Sequence, residues 1–473
     1  MLGTTSGAGK STLVAAICRF LSKKGVRVAP FKAQNMSLNA CAVRGGEMAW
    51  AQVVQAQAAG VEPEVTMNPV LLKPLGDSRS ELILMGKSSG VVESATFDSY
   101  KAKARPVAYQ ALEELLSSYQ LVVAEGAGSP VEVNLKDMDF VNTGLMREFK
   151  AATLLVADID RGGVFASLLG TLLLLSPEER DLLEGVVINR FRGNLDILKP
   201  GLDFLERETG KPVFGVIPYL REPLPPEDSL DLMDSVEGGF KVAVVRYPRI
   251  SNFSDLSPLV VKRGISLFYT CDPLEVASAD LVILPGSRAT LDDLRWLKEV
   301  GLDLAVKLAH KRGAWVLGIC GGFQMLGEVV EDPVGTDGGG RERGLELLPA
   351  RSTMLRKKLV MPVTAKKVSG PPWLPQEVDG YEIHTGVTTG CEPLFLLEGG
   401  RMDGGYAHRV LGTYIHDLLA HDGFRRAFFE ALGVGKPEVS YRVYLEERME
   451  NLAEIVEKQH LLASWLEEMA GLR

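Results

Sequence analysis

The chain has 473 residues, 46 % of them hydrophobic and 24 % charged, with a formal net charge of −9. That balance belongs to a globular protein of two or three domains with a large core, and it excludes a disordered or collagen-like polymer. The negative charge and the lack of a long basic run argue against a nucleic-acid surface. Cys18, Cys41, Cys271, Cys320 and Cys391 form no CxxC pair, so neither a structural zinc site nor a disulfide framework is expected. Met1 and Leu2 run straight into a glycine loop, which gives no signal-peptide pattern. The strongest apolar stretch, Phe165 to Leu175, is broken by Gly170 and is too short to span a bilayer. The expected address is the cytoplasm, with no membrane contact.

In chain order, the first half alternates apolar runs with amphipathic stretches. Strands are expected over 26–31, 120–126, 153–158, 185–190 and 212–217. A helix is expected over 10–24, where Leu13, Val14, Ile17, Phe20 and Leu21 form one stripe and Gly25 ends it. Cys18 falls on that stripe and reads as a core residue. Strand–helix alternation with almost continuously apolar strands predicts a parallel sheet covered on both faces. The composition then turns proline-rich and acidic over 218–239, which predicts a linker or lid. The pattern restarts over 241–245, 280–284 and 315–319, predicting a second parallel sheet. The stretch Thr336 to Gly344 is expected to be a mobile loop. Leu445, Met449, Leu452 and Ile455 or Val456 give a late helix with one apolar face, packed on its own protein. The expected domains are 1–232, 240–433 and a helical extension over 434–473.

Gly3-Thr-Thr-Ser-Gly-Ala-Gly-Lys-Ser-Thr12 carries the first chemistry. Gly7 and Gly9 let backbone N–H groups curl around phosphate oxygens, Lys10 reaches the outer phosphates, and Ser11 can ligate Mg²⁺. Thr12 continues into a helix whose positive end faces the nucleotide. The strict phosphate-loop pattern is not met, because Thr4 stands at its first glycine position. Such loops follow a buried strand, and only Met1 and Leu2 precede Gly3, so further apolar residues are expected upstream. The loop is similar to that of the dethiobiotin synthetases. That resemblance implies a second phosphate-reaching lysine at Lys32 and a metal-binding glutamate at Glu125, both at strand ends facing the ligand crevice.

The second chemistry lies in Gly318-Ile-Cys-Gly-Gly-Phe-Gln324. A G-x-C-x-G elbow after an apolar run exposes a cysteine at a strained strand-to-helix turn, and the helix behind it favours a thiolate. Gly412-Thr-Tyr-Ile-His-Asp417 supplies His416 as the base, and Leu284-Pro-Gly-Ser-Arg288 supplies a glycine turn at Gly286 for an oxyanion. This order resembles the class I glutamine amidotransferases. Most of those carry a glutamate two residues after the histidine, where this chain has Leu418 beside Asp417. A Cys–His dyad is left, with no residue assigned to orient His416. His310, His384, His408, His421 and His460 show no metal-ligand spacing.

The two halves together resemble the cobyric acid synthase family. The segments that carry the resemblance include Phe31–Asn39, Met67–Pro74, Glu125–Pro130, Asp158–Ala166, Ile188–Gly193, Arg249–Phe253 and Gly380–Gly386. It implies a phosphate-loop α/β domain followed by a class I glutamine-amidotransferase-like α/β domain. It also implies ATP, Mg²⁺, glutamine and a corrinoid acid as ligands, and four ATP-dependent amidations of peripheral carboxylates on adenosylcobyrinic acid a,c-diamide. Ser11, Glu125 and, more weakly, Glu47 are the metal candidates. Asp139 is a candidate corrinoid contact, with helix capping as its alternative. Competing readings are the synthase acting on the a and c carboxylates, a two-chain cell-wall amidating ligase, and a non-catalytic partition-type ATPase. The last has no use for a cysteine elbow.

Overall fold

The computed structural model describes residues 1–76, 78–93, 97–220, 224–225, 227, 232, 234–236 and 238–472. Much of the proline-rich stretch expected to be a linker or lid lies outside the described residues. The chain forms two compact units: residues 1–36, 48–224 and 445–473, and residues 37–47 and 225–444.

In the first unit, β1 (Leu2–Gly3), β4 (Thr153–Asp158), β5 (Leu183–Phe191) and β6 (Val213–Pro218) form one all-parallel sheet in that order. β2 (Val28–Phe31) and β3 (Leu121–Ala124) form a parallel pair. The Met1 amine donates to Ala124 O at 2.7 Å and Gly126 N–H to Met1 O at 2.9 Å, which lays β3 beside β1. Leu154, Leu155, Val156, Val186, Val187 and Ile188 are all buried, as the continuous apolar runs require. Helix α1 (Lys10–Lys23) starts from Gly9 in the left-handed conformation and buries Leu13, Val14, Ile17, Phe20, Leu21 and Cys18. Burial pushes the Cys18 thiol pKa far up, as befits a core residue. Helix α2 (Val164–Leu174) follows β4.

The C-terminal helices Tyr441–Lys458 and His460–Met469 bury Met449, Leu452 and Val456 on the expected face. Arg19 of α1 pairs with Glu446 and Glu450, and Gln459 Oε1 accepts the Val216 N–H at 2.9 Å.

The second unit holds a seven-stranded sheet. Its parallel centre runs β8 (Ile265–Thr270), β7 (Phe240–Val245), β9 (Leu281–Leu284), β10 (Trp315–Ile319) and β11 (Val410–Thr413), with a short antiparallel strand on each edge. Long strands Arg351–Lys367 and Glu377–Thr389 pair antiparallel in another sheet. The stretch 336–344 is more ordered than its composition predicts. Gly340–Arg343 pairs antiparallel with Val329–Asp332, and the Asp332 carboxylate accepts the N–H groups of Val334, Thr336, Asp337 and Gly339. One carboxylate thus satisfies four backbone N–H groups of the glycine-rich stretch.

Candidate functional site

The phosphate loop bends as its glycines allow, with φ of 71° at Gly7 and 89° at Gly9. A Cβ on Gly9 would lie 2.1 Å from Asn189 Nδ2, so a larger residue there would displace that side chain as well as strain the backbone. Lys10 is buried, and its Nζ donates to Thr5 O at 3.0 Å and Gly128 O at 3.2 Å. Ser11 Oγ donates to Glu125 Oε1 at 2.8 Å, and Lys32 Nζ reaches the same oxygen at 2.7 Å. Gln55 Nε2 donates to Glu125 Oε2 at 2.6 Å, an interaction sequence reading did not find. Thr12, in the first turn of α1, is half-buried. Lys10, Ser11, Lys32 and Glu125 therefore converge in one unit from three separate segments. A glycine cradle, two buried lysines and a Ser–Glu oxygen pair suit a magnesium-bound nucleoside triphosphate.

The two remaining candidates are Asp139 and Glu47. Asp139 Oδ1 accepts from Val141 and Asn142 N–H, and its Oδ2 accepts from Thr143 N–H and Oγ1. Both oxygens thus serve the turn that leads into helix Thr143–Glu148, whose N-cap residue is Asn142. Asn142 in turn exchanges two hydrogen bonds with Ala127 in the loop after Glu125. Glu47 belongs to the second unit, where its buried carboxylate pairs with Lys358. Among the described residues, no group of three or more His, Cys, Asp or Glu could hold a metal without help.

In the second unit, Cys320 sits between β10 and the short helix α3 (Gly321–Leu326), with φ 52° and ψ −107°. A non-glycine residue reaches that region only at a cost of about 1–3 kcal/mol, so the surroundings must hold it. They do so by close approach: a Cβ on Gly322 would fall 1.8 Å from Leu284 O, and one on Gly318 would fall 2.6 Å from Leu326 Cδ1. Cys320 N–H donates to Thr413 O at 2.8 Å, tying the elbow to the strand that leads to His416. The sulfur lies 3.5 Å from Ile383 O.

His416 is fully buried, and its ring stacks on Tyr381 at 5.2 Å. Asp255 supplies the orienting group: its Oδ2 lies 2.8 Å from His416 Nδ1, and its Oδ1 accepts the Asp417 N–H at 2.7 Å. Burial alone would lower the imidazole pKa. The Asp255 carboxylate outweighs it, with a smaller upward push from Cys320, and the pKa is raised to about 10. No formed hydrogen bond engages Nε2 among the described residues, which leaves that nitrogen open for proton transfer. Gly286 pairs with Ser251, and a Cβ on it would lie 3.6 Å from His416 Cε1. A Cβ on Gly321 would fall 2.8 Å from Ser287 N, so the Gly286–Ser287 backbone borders both the elbow and the imidazole.

Sequence reading missed Asp255. It lies 161 positions before His416, on the 3₁₀ turn Phe253–Val261. The only signal was its place two residues after the Arg249–Phe253 segment.

Comparison with known proteins matches this layout. Residues 1–223 match the CobQ/CobB/MinD/ParA nucleotide binding domain, and residues 241–424 match the CobB/CobQ-like glutamine amidotransferase domain. A cobyric acid synthase of Desulfitobacterium hafniense (strain DSM 10664 / DCB-2) is 45 % identical over 452 residues, covering 91 % of this chain and 88 % of that one. The chain belongs to the cobyric acid synthase family. The Mycobacterium ulcerans (strain Agy99) cobyric acid synthase is also 45 % identical, over 96 % of this chain and 93 % of its own. The probable cobyric acid synthase of Thermococcus gammatolerans is 43 % identical over 97 % and 96 %. As a cobyric acid synthase relative with both domains in one chain, the protein is a glutamine-dependent amidating ligase with a nucleotide-binding half. No helix among the described residues is long and apolar enough to cross a membrane.

Proposed function

We propose that the chain uses ATP and glutamine to amidate the b, d, e and g carboxylates of adenosylcobyrinic acid a,c-diamide, giving adenosylcobyric acid. The observations that support this reading are, in one chain, a Cys320 elbow with the His416–Asp255 contact, and Ser11 and Lys32 gathered on Glu125 beside the glycine loop and Lys10.

The Cys320 thiolate attacks the side-chain amide carbon of glutamine, and the carbonyl oxygen becomes an oxyanion beside the Gly286–Ser287 backbone. His416 gives a proton to the departing nitrogen, and ammonia leaves with a thioester behind. His416 then takes a proton from water, which attacks the thioester to release glutamate. Asp255 fixes the ring so that Nε2 performs both transfers.

In the other half, a carboxylate is a poor acceptor for ammonia because it has no good leaving group. Transfer of the γ-phosphoryl group makes an acyl phosphate, and ammonia displaces phosphate from it. Lys10 and Lys32 neutralise charge on the phosphoryl oxygens. Ser11 and Glu125 would hold Mg²⁺, which supplies further charge neutralisation there.

The test supplies ATP, Mg²⁺ and the diamide acid with glutamine, with ammonia, or with neither. Tetra-amidated product from either nitrogen source, and none without one, is expected. Product only from cobyrinic acid itself would favour the synthase that acts on the a and c carboxylates.

A further inference from the structure

The strand order places chemistry on a side of the phosphate loop that the steps above leave unused. β1 lies between β3 and β4, so the loop after β1 has Lys32 and Glu125 on one flank and the ends of β4 and β5 on the other. In parallel sheets these strand ends form the ligand crevice. After β4 the chain runs Asp158-Ile-Asp-Arg161-Gly-Gly163 into α2, turning at Gly162 and Gly163 with φ of 80° and 71°. Asp158 is buried; its Oδ2 lies 3.0 Å from Arg190 Nη1 and 3.7 Å from Arg161 Nε. At the end of β5, Asn189 Nδ2 donates to Ala8 O at 2.9 Å and fixes the loop on this flank.

Arg161 points back to the loop: a Cβ on Gly7 would lie 3.8 Å from its Nη2. Its side chain is nevertheless 71 % exposed. An ion pair this long and this solvated contributes little to stability, so the bland reading of Arg161 as a structural clamp is weak. A guanidinium with its Nη2 toward a phosphate-binding loop is arranged for an oxyanion.

We propose that Arg161 is a further catalytic residue of the amidation half, contacting the phosphoryl group in transit; this rests on the amidation reading above. A carboxylate oxygen of the acceptor bonds to the γ-phosphorus while the bond to the β–γ bridging oxygen breaks. ADP leaves with that electron pair, and negative charge spreads over the three remaining oxygens of the moving group. Lys10 and Lys32 meet that charge from the flank of Glu125, and Arg161 meets it from the flank of Asp158.

The experiment uses the full chain and its Arg161→Gln and Arg161→Lys variants, with ammonia as nitrogen source and ATP and diamide acid each varied. ADP release and amide formation are expected to lose kcat together, on the order of 10²-fold or more in Arg161→Gln, with partial recovery in Arg161→Lys. The KM for ATP, the melting temperature and glutamine hydrolysis are expected to stay close to the parent's. A higher KM for the diamide acid at unchanged kcat would make Arg161 a carboxylate-binding group and overturn the proposal, as would unchanged kinetics. If the unaltered chain makes no amide from ammonia, the amidation reading itself fails, and the proposal with it.

Discussion

Asp255 Oδ2 lies 2.8 Å from His416 Nδ1, although 161 positions separate the two residues in the chain. This contact supplies the orienting carboxylate from a distant part of the chain rather than from the usual position after the histidine, which Leu418 fills with a buried apolar side chain. Replacing Asp255 by Asn keeps the shape and removes the charge. Glutamine-driven amidation is expected to fall on the order of 10²- to 10⁴-fold, with ammonia-driven amidation intact. Equal activity of the variant and parent with glutamine would remove Asp255 from the mechanism.

The same contact has a pH signature. The folded-state pKa of His416, about 10, lies above its ordinary value of 6.5. A raised pKa means the folded state holds a proton that the unfolded chain releases. The stabilisation is therefore complete below about pH 6.5 and is lost as pH rises through about 10. Melting curves of the parent and His416→Gln are expected to differ most at pH 6 and to converge towards pH 10. A gap that widens with rising pH would contradict the assignment of the charge.

Lys32 and Glu125 are both buried and 2.7 Å apart. Glu125→Ala leaves a buried ammonium without its carboxylate, at an expected cost of about 3 kcal/mol in stability. Glu125→Gln keeps the volume, so the expected result is a folded chain that hydrolyses glutamine but makes no amide. Chemical denaturation and the two partial assays check this.

The Asp139 carboxylate accepts four short hydrogen bonds from Val141, Asn142 and Thr143, at the turn into helix Thr143–Glu148. Asp139→Ala is expected to cost about 1–2 kcal/mol, and Asp139→Asn less. A stability loss that tracks these substitutions supports a structural role at this turn. An unchanged melting temperature with a raised KM for the corrinoid would instead support direct substrate contact.

What sequence reading could reach follows from how local each signal is. The phosphate loop and the Cys320 elbow are written in consecutive residues, because tight turns need glycine where the backbone approaches itself. Gly322 against Leu284 O is such a place. Lys32 and Glu125 were legible one at a time, each at the end of an apolar strand, though not as a pair. Asp255 was not legible, because an orienting carboxylate needs only proximity in space. The strand Gly340–Arg343 was hidden by the glycine run that leads into it, since the Asp332 carboxylate that organises the preceding turn lies outside that run. Nor does composition reveal that residues 37–47 join the second unit, where Asn252 Nδ2 donates to Ala40 O and Ser254 Oγ to Asn39 Oδ1.

The central claim is that one sulfur frees the nitrogen and a separate phosphate site spends it. The most direct measurement is amide formation by Cys320→Ala with glutamine and, in parallel, with ammonia. The first is expected to disappear and the second to persist at close to the parent rate. Glutamine-driven product from a folded chain lacking this thiol would contradict it.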